Sequence, residues 1–173
     1  MKNRVLLSTI VLFFIFCFII FFKSLNNSNT YIPKSILKSP LKIFYSKELF
    51  SETEISSNQI LSGSKFYLIN IWASWCVPCR REHSELMKLS KNSSIKLIGL
   101  NYKDNPENAK KFIRELGNPY SNIITDKNGT ISIELGAYGV PESFLVDNDK
   151  KIIKKIVGPI DKKLIAEIFL IIE

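Results

Sequence analysis

Residues 72–80 read WASWCVPCR and carry two of the three cysteines of this 173-residue chain, Cys76 and Cys79. A Cys-x-x-Cys pair can exchange electrons, hold a metal, attach a haem or cross-link the fold. Each of these uses requires different neighbours, so the rest of the sequence can discriminate between them.

An apolar run, FYLINIW (66–72), leads directly into this stretch. A nearly continuous apolar run is typical of a strand buried on both faces. The helical spacing of Leu86 and Leu89 predicts a helix from about Cys76 to Ser90. A strand followed by a dithiol at a helix N-terminus is the layout expected of a thioredoxin-like redox site.

The alternation of strands and helices continues after this helix. SIKLIGLN (94–101) predicts a second buried strand. PENAKKFIRELG (106–117) predicts a helix that Pro106 opens and Gly117 ends.

The C-terminal part predicts a hairpin and a last helix. SFLVD (143–147) and KIIKKIVG (151–158) flank Asn148-Asp149, which is a hairpin signal. DKKLIAEIFLII (161–172) predicts the closing helix. Together these elements predict an α/β fold in which a mixed sheet is flanked by helices.

Three of the four uses of the cysteine pair meet objections. Haem attachment requires Cys-x-x-Cys-His, but Arg80 follows Cys79. Structural zinc needs four ligands, yet only Cys17, within an apolar segment, and His83, which we expect on the helix surface, remain as further Cys or His ligands. A purely structural disulfide would close a very short loop and restrain the unfolded chain little. Zinc and a structural cross-link are therefore minor alternatives to a redox pair.

The redox interpretation assigns different roles to the two thiols and needs no metal or further cofactor. The N-terminus of a helix favours the thiolate, so we expect Cys76 to be the exposed nucleophile. Cys79, one turn into the helix, is expected to be shielded and to resolve the mixed disulfide. Pro78 suits a first-turn position. Trp75 is expected to pack at the core or rim, with a substrate contact as the alternative.

An uncharged apolar segment of 18 residues, Val5–Phe22, follows Lys2 and Arg4. Its length approaches the roughly 20 residues that span a bilayer as a helix, and no small-x-small cleavage site follows it. A cleaved signal peptide is the alternative to an uncleaved anchor. We predict four segments: a cytoplasmic tail (1–4), a transmembrane signal anchor (5–22), a solvated tether (23–42) and a folded domain (43–173).

The net charge of +8 is concentrated at the N-terminus. Six basic residues occur up to Lys42, and no acidic residue precedes Glu48. The chain after Lys42 has 18 basic against 16 acidic residues. This distribution suits anionic lipid headgroups and disfavours a nucleic-acid partner. Basic residues flank both ends of the apolar segment, so their count does not decide its orientation. The short N-terminal tail favours export of the domain to a compartment that permits disulfide chemistry.

Four segments in order resemble the DsbE family, also called CcmG, of thiol:disulfide interchange proteins in cytochrome c biogenesis. They are LINIWASWCVPCRREH (68–83), GLNYKD (99–104), ELGNPY (115–120) and LGAYGVPESFLVD (135–147). The resemblance extends from about residue 66 to 158. The second and third segments make it more specific than a Cys-x-x-Cys pair alone, because ordinary thioredoxins do not share them.

The resemblance implies a thioredoxin-like fold with an insertion around residues 104–134, anchored in a bacterial inner membrane with its catalytic domain in the periplasm. It implies that Cys76 and Cys79 reduce the haem-binding cysteines of apocytochrome c, or a partner thiol protein of cytochrome c maturation. Electrons would arrive from a membrane thiol-reducing transporter of the DsbD or CcdA type.

The resemblance also implies roles for residues beyond the dithiol. Pro141 matches the family's cis-proline, with Val140 offering its backbone to an extended substrate. Glu82 and Glu142 match acidic residues near the family's active site and would raise the thiol pKa. The alternatives are a solvated helix residue for Glu82 and a charged strand end for Glu142. Ser143 stands where the family commonly has Thr, and keeps the hydroxyl group.

Two other functions compete with this one. An anchored thioredoxin-like reductase could serve another exported dithiol, such as that of a copper-site assembly protein. A non-enzymatic haem or metal chaperone is disfavoured because His83 and Met87 are the only histidine and methionine of the predicted domain.

Overall fold

The computed structural model describes residues 2–26, 37 and 39–172, which fall into two units. The first unit is helix α1, Lys2–Asn26. Over Arg4–Ser24 this helix is long and apolar enough to cross a membrane. A signal sequence near the N-terminus has the same length and composition. The predicted span, 5–22, lies within it. Most of the predicted tether lies outside the described residues.

The second unit contains seven strands and five further helices among the described residues. The strands are β1 Tyr45–Lys47, β2 Glu54–Ser56, β3 Phe66–Trp72, β4 Ile95–Tyr102, β5 Asn122–Asp126, β6 Glu142–Asp147 and β7 Ile152–Val157. The helices are α2 Ser57–Ile60, α3 Val77–Leu89, α4 Pro106–Leu116, α5 Thr130–Glu134 and α6 Lys162–Ile172.

Five of the strands form one mixed sheet in the order β5-β4-β3-β6-β7. β3, β4 and β5 are parallel, with α3 and α4 as the intervening helices. β6 is antiparallel to both β3 and β7. The predicted mixed sheet, the hairpin and the closing helix are therefore confirmed. β1 and β2 form a separate antiparallel pair.

The pleat of the central strand β3 divides the hydrophobic core into two clusters, because alternate side chains point to opposite faces. Leu68 and Trp72 belong to the cluster that also contains both cysteines, and we call this side of the sheet the cysteine face. Ile69 and Ile71 belong to the other cluster, on the opposite face. A side chain's place in β3 or β6 therefore tells which face of the sheet it lies on.

Helix α4 begins and ends where the sequence predicted. The side chain of Asn105 caps it, Pro106 occupies its first turn, and Gly117 ends it with a φ of 89°, a conformation that glycine adopts readily. Its buried residues are Ala109, Phe112 and Ile113. The predicted insertion, 104–134, consists of α4, β5 and α5.

The folded unit begins before residue 43, contrary to the predicted boundary. Leu41 N donates to Lys150 O at 2.9 Å, and Ile152 N donates to Ser39 O at 3.3 Å. β7 is an edge strand, and the free backbone groups at its start bind this segment. Pro40 lies opposite Lys151, where an edge position tolerates a residue without an N–H.

Candidate active site

The cysteine pair lies at the start of α3 as a disulfide. Cys76 is the N-cap residue, and its Cα lies 5.3 Å from that of Cys79. The backbone N–H of Cys79 donates to Cys76 Sγ at 3.1 Å. After reduction, this N–H and the helix N-terminus would stabilise a thiolate on Cys76. Pro78 occupies the first turn of α3, as predicted.

The two cysteines differ little in exposure in this oxidised form. Cys76 is 4% exposed and Cys79 is 2% exposed, so the expectation of an exposed Cys76 is wrong here. The bonded sulfur of Cys76 is turned towards Cys79, and both residues join the hydrophobic cluster of the cysteine face.

Trp75 lies at the rim of the site and is 58% exposed. Its indole N–H donates to Lys103 O at 3.2 Å. This bond connects the residue before Cys76 to the segment 99–104 that carried the family resemblance. The other tryptophan of the chain, Trp72, is fully buried in the core.

Asp104 holds the loop in front of Cys76. Its carboxylate accepts hydrogen bonds from Ser74 N at 2.5 Å and Ser74 Oγ at 2.7 Å. It also accepts from Asn101 Nδ2 at 3.0 Å and Asn105 N at 2.8 Å. Sequence reasoning did not assign this role, although the shared NYKD segment was a signal for it.

Glu82 is buried on α3, three residues after Cys79. Glu82 Oε1 accepts from Asn70 Nδ2 at 3.0 Å, and Oε2 accepts from Ile160 N at 2.7 Å. Burial raises the pKa of Glu82, and the two hydrogen bonds lower it. The effect of burial is the larger, so the pKa is about 7. The alternative of a solvated helix residue is therefore wrong.

Asn70 joins Glu82 to two further polar groups in the buried interior. Tyr120 OH donates to Asn70 Oδ1 at 2.7 Å, and Asn70 Nδ2 donates to Ser143 Oγ at 3.0 Å. Burial raises the pKa of Tyr120 well above its usual value, and the charge of Glu82 adds to this effect. The sequence did not reveal the role of Asn70, because it lies within an apolar run.

His83 is buried, so its predicted place on the helix surface is wrong. Its Nε2 lies 2.9 Å from Gly117 O, and its ring contacts Phe112 edge-on at 5.2 Å. The end of α4 covers this side of α3. Burial lowers the pKa of His83. Among the described residues, no group of three or more His, Cys, Asp or Glu could hold a metal ion.

The segment before β6 contains the proline that the family resemblance singles out. The Val140–Pro141 peptide bond is cis, which the sequence alone did not reveal. Val140 packs against both hydrophobic clusters, one of which contains both cysteines. The role of Val140 and Pro141 in binding a substrate stays a prediction.

Glu142 lies on the opposite face of the sheet from Glu82. It pairs with Ile71 across the strands, whereas its neighbour Ser143 pairs with Asn70. Its carboxylate is buried and lies 3.0 Å from Lys155 Nζ. The structure thus brings Glu82, but not Glu142, to the cysteine face, and an effect of Glu142 on the thiol pKa stays a prediction.

A disulfide-bonded Cys-x-x-Cys pair at the start of a crossover helix in a mixed sheet defines the thioredoxin-like thiol:disulfide oxidoreductases. The chain matches the Redoxin family over residues 49–168. It is 35% identical over 167 residues to the thiol:disulfide interchange protein DsbE of Pseudomonas aeruginosa, covering 96% of this chain and 91% of that protein. This chain belongs to the Redoxin family and, within it, to the DsbE thiol:disulfide interchange proteins.

Two further comparisons concern the sequence and the fold. A stretch of 95 residues is 50% identical to the thiol:disulfide interchange protein CycY of Rhizobium leguminosarum, covering 55% of this chain and 51% of that protein. The crystal structure of the thioredoxin domain of a thiol-disulfide oxidoreductase from Bacteroides vulgatus superimposes with a TM-score of 0.67 at 22% identity. The superposition covers 79% of this chain and 98% of that domain, and it supports the fold.

Proposed function

We propose that this oxidoreductase is a membrane-anchored reductant of the haem-binding cysteines of apocytochrome c, or of a thiol protein that carries them during cytochrome c maturation. The observation that carries the proposal is the similarity to DsbE over nearly the whole chain, since the family resemblance implies this substrate. The apolar helix α1 supports a single-pass anchor in a bacterial inner membrane, with the catalytic domain in the periplasm.

The proposed reaction begins with the reduced dithiol. The Cys76 thiolate attacks one sulfur of a substrate disulfide, forming a mixed disulfide and releasing the other substrate sulfur as a thiolate. The Cys79 thiol loses its proton and attacks Cys76 Sγ. The substrate leaves as a dithiol, and Cys76 and Cys79 become the disulfide seen in the structure.

Glu82 is the group that we propose accepts the proton of Cys79. A pKa of about 7 lets a carboxyl group exchange a proton near neutral pH. Glu82 follows Cys79 by three residues on α3, a spacing that places two side chains on the same face of a helix.

The exposed rim supports the binding of an extended peptide. Trp75 and Val77 are 58% and 68% exposed on one side of the dithiol. The family resemblance implies that the half-buried Val140 and the buried Pro141 form the other side, with the Val140 backbone pairing with the substrate. A membrane thiol-reducing transporter would return electrons to the dithiol after each cycle, because an oxidising compartment would otherwise keep it oxidised.

Trapping of the mixed disulfide tests the proposal. Cys79→Ala removes the resolving thiol, so the Cys76–substrate bond should persist in cells, and mass spectrometry of the complex identifies the substrate. Capture of an apocytochrome c or of a maturation thiol protein is expected. Capture of only another exported dithiol protein, such as one for copper-site assembly, would contradict the proposed substrate.

A loss-of-function test in cells complements trapping. Cys76→Ser should abolish holocytochrome c formation, and added small thiols should partly restore it. The wild-type dithiol should be mostly reduced in cells with an intact thiol-reducing pathway and oxidised without it. Normal c-type cytochromes in the mutant would contradict the assignment.

A further inference from the structure

Lys155 carries a positive charge into the interior on the opposite face of the sheet from the cysteines. It lies on β7, and its side chain has no exposed surface. Its Nζ donates to Gly136 O at 2.7 Å and lies 3.0 Å from Glu142 Oε2. The same Nζ lies 3.8 Å from the centre of the Tyr138 ring. A buried ammonium group needs such partners, because its removal from water is costly.

Glu142 binds the same short segment from a second strand. Its Oε1 accepts hydrogen bonds from Tyr138 N at 2.7 Å and Gly139 N at 3.0 Å. Both members of one ion pair therefore bind residues 136–140, which lead to Pro141 and which we call the proline loop. Lys155 binds the carbonyl at the start of the loop and the Tyr138 ring, and Glu142 binds two amides in its middle.

The middle of the proline loop, at Tyr138 and Gly139, depends on the bonds to Glu142 for its shape. The loop contains two glycines, and Gly136 adopts a φ of 80°, a conformation that glycine adopts readily. At the start of the loop, Gly136 N and Ala137 N donate to Ile133 O and Ser132 O, both at 2.9 Å. Tyr138 is 65% exposed and thus does not anchor the loop by burial. Val140, at the end of the loop, packs against both hydrophobic clusters, one of which contains both cysteines. The ion pair on one face thereby holds a loop whose last residue also packs against the cluster on the cysteine face.

We propose that Lys155 and Glu142 are positioning residues that fix the proline loop as one wall of the substrate groove. They govern how tightly an extended peptide substrate binds and leave the chemistry of the dithiol unchanged. The inference rests on the proposed function in that the groove takes an extended substrate. It gives Glu142 a different role from that of a carboxylate that acts on the thiols.

The substitution Lys155→Met tests the proposal, and Lys154→Met is its matched control. Lys154 is the preceding residue and forms an ion pair with Glu167 on α6, away from the proline loop. Lys155→Met leaves a buried carboxylate unpaired and can impair folding. The double variant Glu142→Gln/Lys155→Met is therefore tested as well. It removes both charges and still leaves the loop without the lysine.

The functional measurement uses pre-reduced full-length protein in detergent micelles and single-turnover kinetics. One substrate is a disulfide-bridged peptide containing Cys-x-x-Cys-His, and the other is oxidised hydroxyethyl disulfide. For the peptide, both Lys155 variants should raise the half-saturating concentration about tenfold with little change in the limiting rate. The rate with the small disulfide should stay within about twofold of wild type, and Lys154→Met should match wild type. Equal losses with both substrates, or an unchanged half-saturating concentration, would overturn the proposal.

A second measurement distinguishes failure of this inference from failure of the proposed function. Hydrogen exchange at the amides of Tyr138 and Gly139 reports the loop itself and needs no substrate. Exchange should be at least about tenfold faster in both Lys155 variants than in wild type or Lys154→Met. If the wild type does not reduce the peptide but exchange changes as expected, the proposed substrate is wrong and the positioning role stands. Unchanged exchange in folded variants would refute the positioning role.

Discussion

Glu82 places a carboxyl group in the hydrophobic interior, and its burial has a consequence for stability. Its pKa of about 7 in the folded protein exceeds the usual 4.5, so the folded state retains a proton that the unfolded state has lost. The resulting stabilisation is fully present below pH 4.5 and is lost as the pH rises through about 7.

We therefore expect Glu82→Gln to flatten the pH dependence of the free energy of unfolding. Wild type should lose about 3 kcal/mol more than the variant between pH 5 and pH 8, because each pKa unit corresponds to about 1.4 kcal/mol. Urea unfolding of the oxidised protein measures this without interference from the thiols. Glu134→Gln, an exposed substitution on α5, should keep the wild-type dependence. A wild-type slope in Glu82→Gln would show that Glu82 ionises normally.

The two cysteines should differ in reactivity once they are reduced. Cys76 is at the N-cap, where its sulfur accepts the Cys79 N–H, so its thiolate is the better stabilised of the two. We expect iodoacetamide near neutral pH to label Cys76 at least about tenfold faster than Cys79. Peptide mass spectrometry separates both from Cys17. Faster labelling of Cys79 would reverse the proposed roles.

At the scale of elements, the loop between β3 and α3 is held from outside by the loop that follows β4. Asp104 accepts the backbone N–H and the hydroxyl of Ser74, and Lys103 O accepts the Trp75 indole N–H. Adjacent parallel strands end at the same edge of the sheet, so two loops that are distant in sequence meet in front of the dithiol.

Asp104→Ala should loosen this contact and destabilise the domain. Loss of several hydrogen bonds to one carboxylate should lower the free energy of unfolding by about 1–3 kcal/mol. The fluorescence anisotropy of Trp75 should fall, measured in a Trp72→Phe background that leaves Trp75 as the only tryptophan. Asp149→Ala removes a carboxylate that is 67% exposed and pairs with Lys151, so it should change neither quantity. An unaltered anisotropy in Asp104→Ala would show that Asp104 does not order the loop.

Local patterns were sufficient to predict the main elements but not the polar interior. The apolar run of β3, the dithiol and the caps of α4 are signals read within a few residues. Asn70 and Lys155 gave no such signal, because their partners lie outside the local pattern. The partners of Asn70 are 12, 50 and 73 residues away, and those of Lys155 are Gly136 and Glu142. His83 was placed on the surface for the same reason, since α4 covers it only in the folded chain.

At the scale of the whole molecule, two units with different physical character share one chain. Helix α1 has an apolar surface, and its apolar segment is not buried. The folded unit, in contrast, buries apolar residues in two clusters. An apolar helix that is not buried in protein needs a lipid environment or removal by processing. Its composition predicts membrane insertion but does not choose between a permanent anchor and a cleaved signal.

Fractionation and a topology reporter decide between these two fates. We expect the full-length protein to resist carbonate extraction, and a reporter fused after residue 173 to be active only outside the cytoplasm. The double variant Ile10→Lys/Phe14→Lys places two charges in the bilayer core, each costing about 2.5–3.5 kcal/mol, and should abolish both properties. Ser8→Ala is the control, because the hydroxyl of Ser8 bonds within the helix to Arg4 O and its loss should leave insertion unchanged. Release of a soluble wild-type species with a new N-terminus near Asn26 would instead identify α1 as a cleaved signal, and the substrate would then be reached by diffusion rather than at the membrane surface.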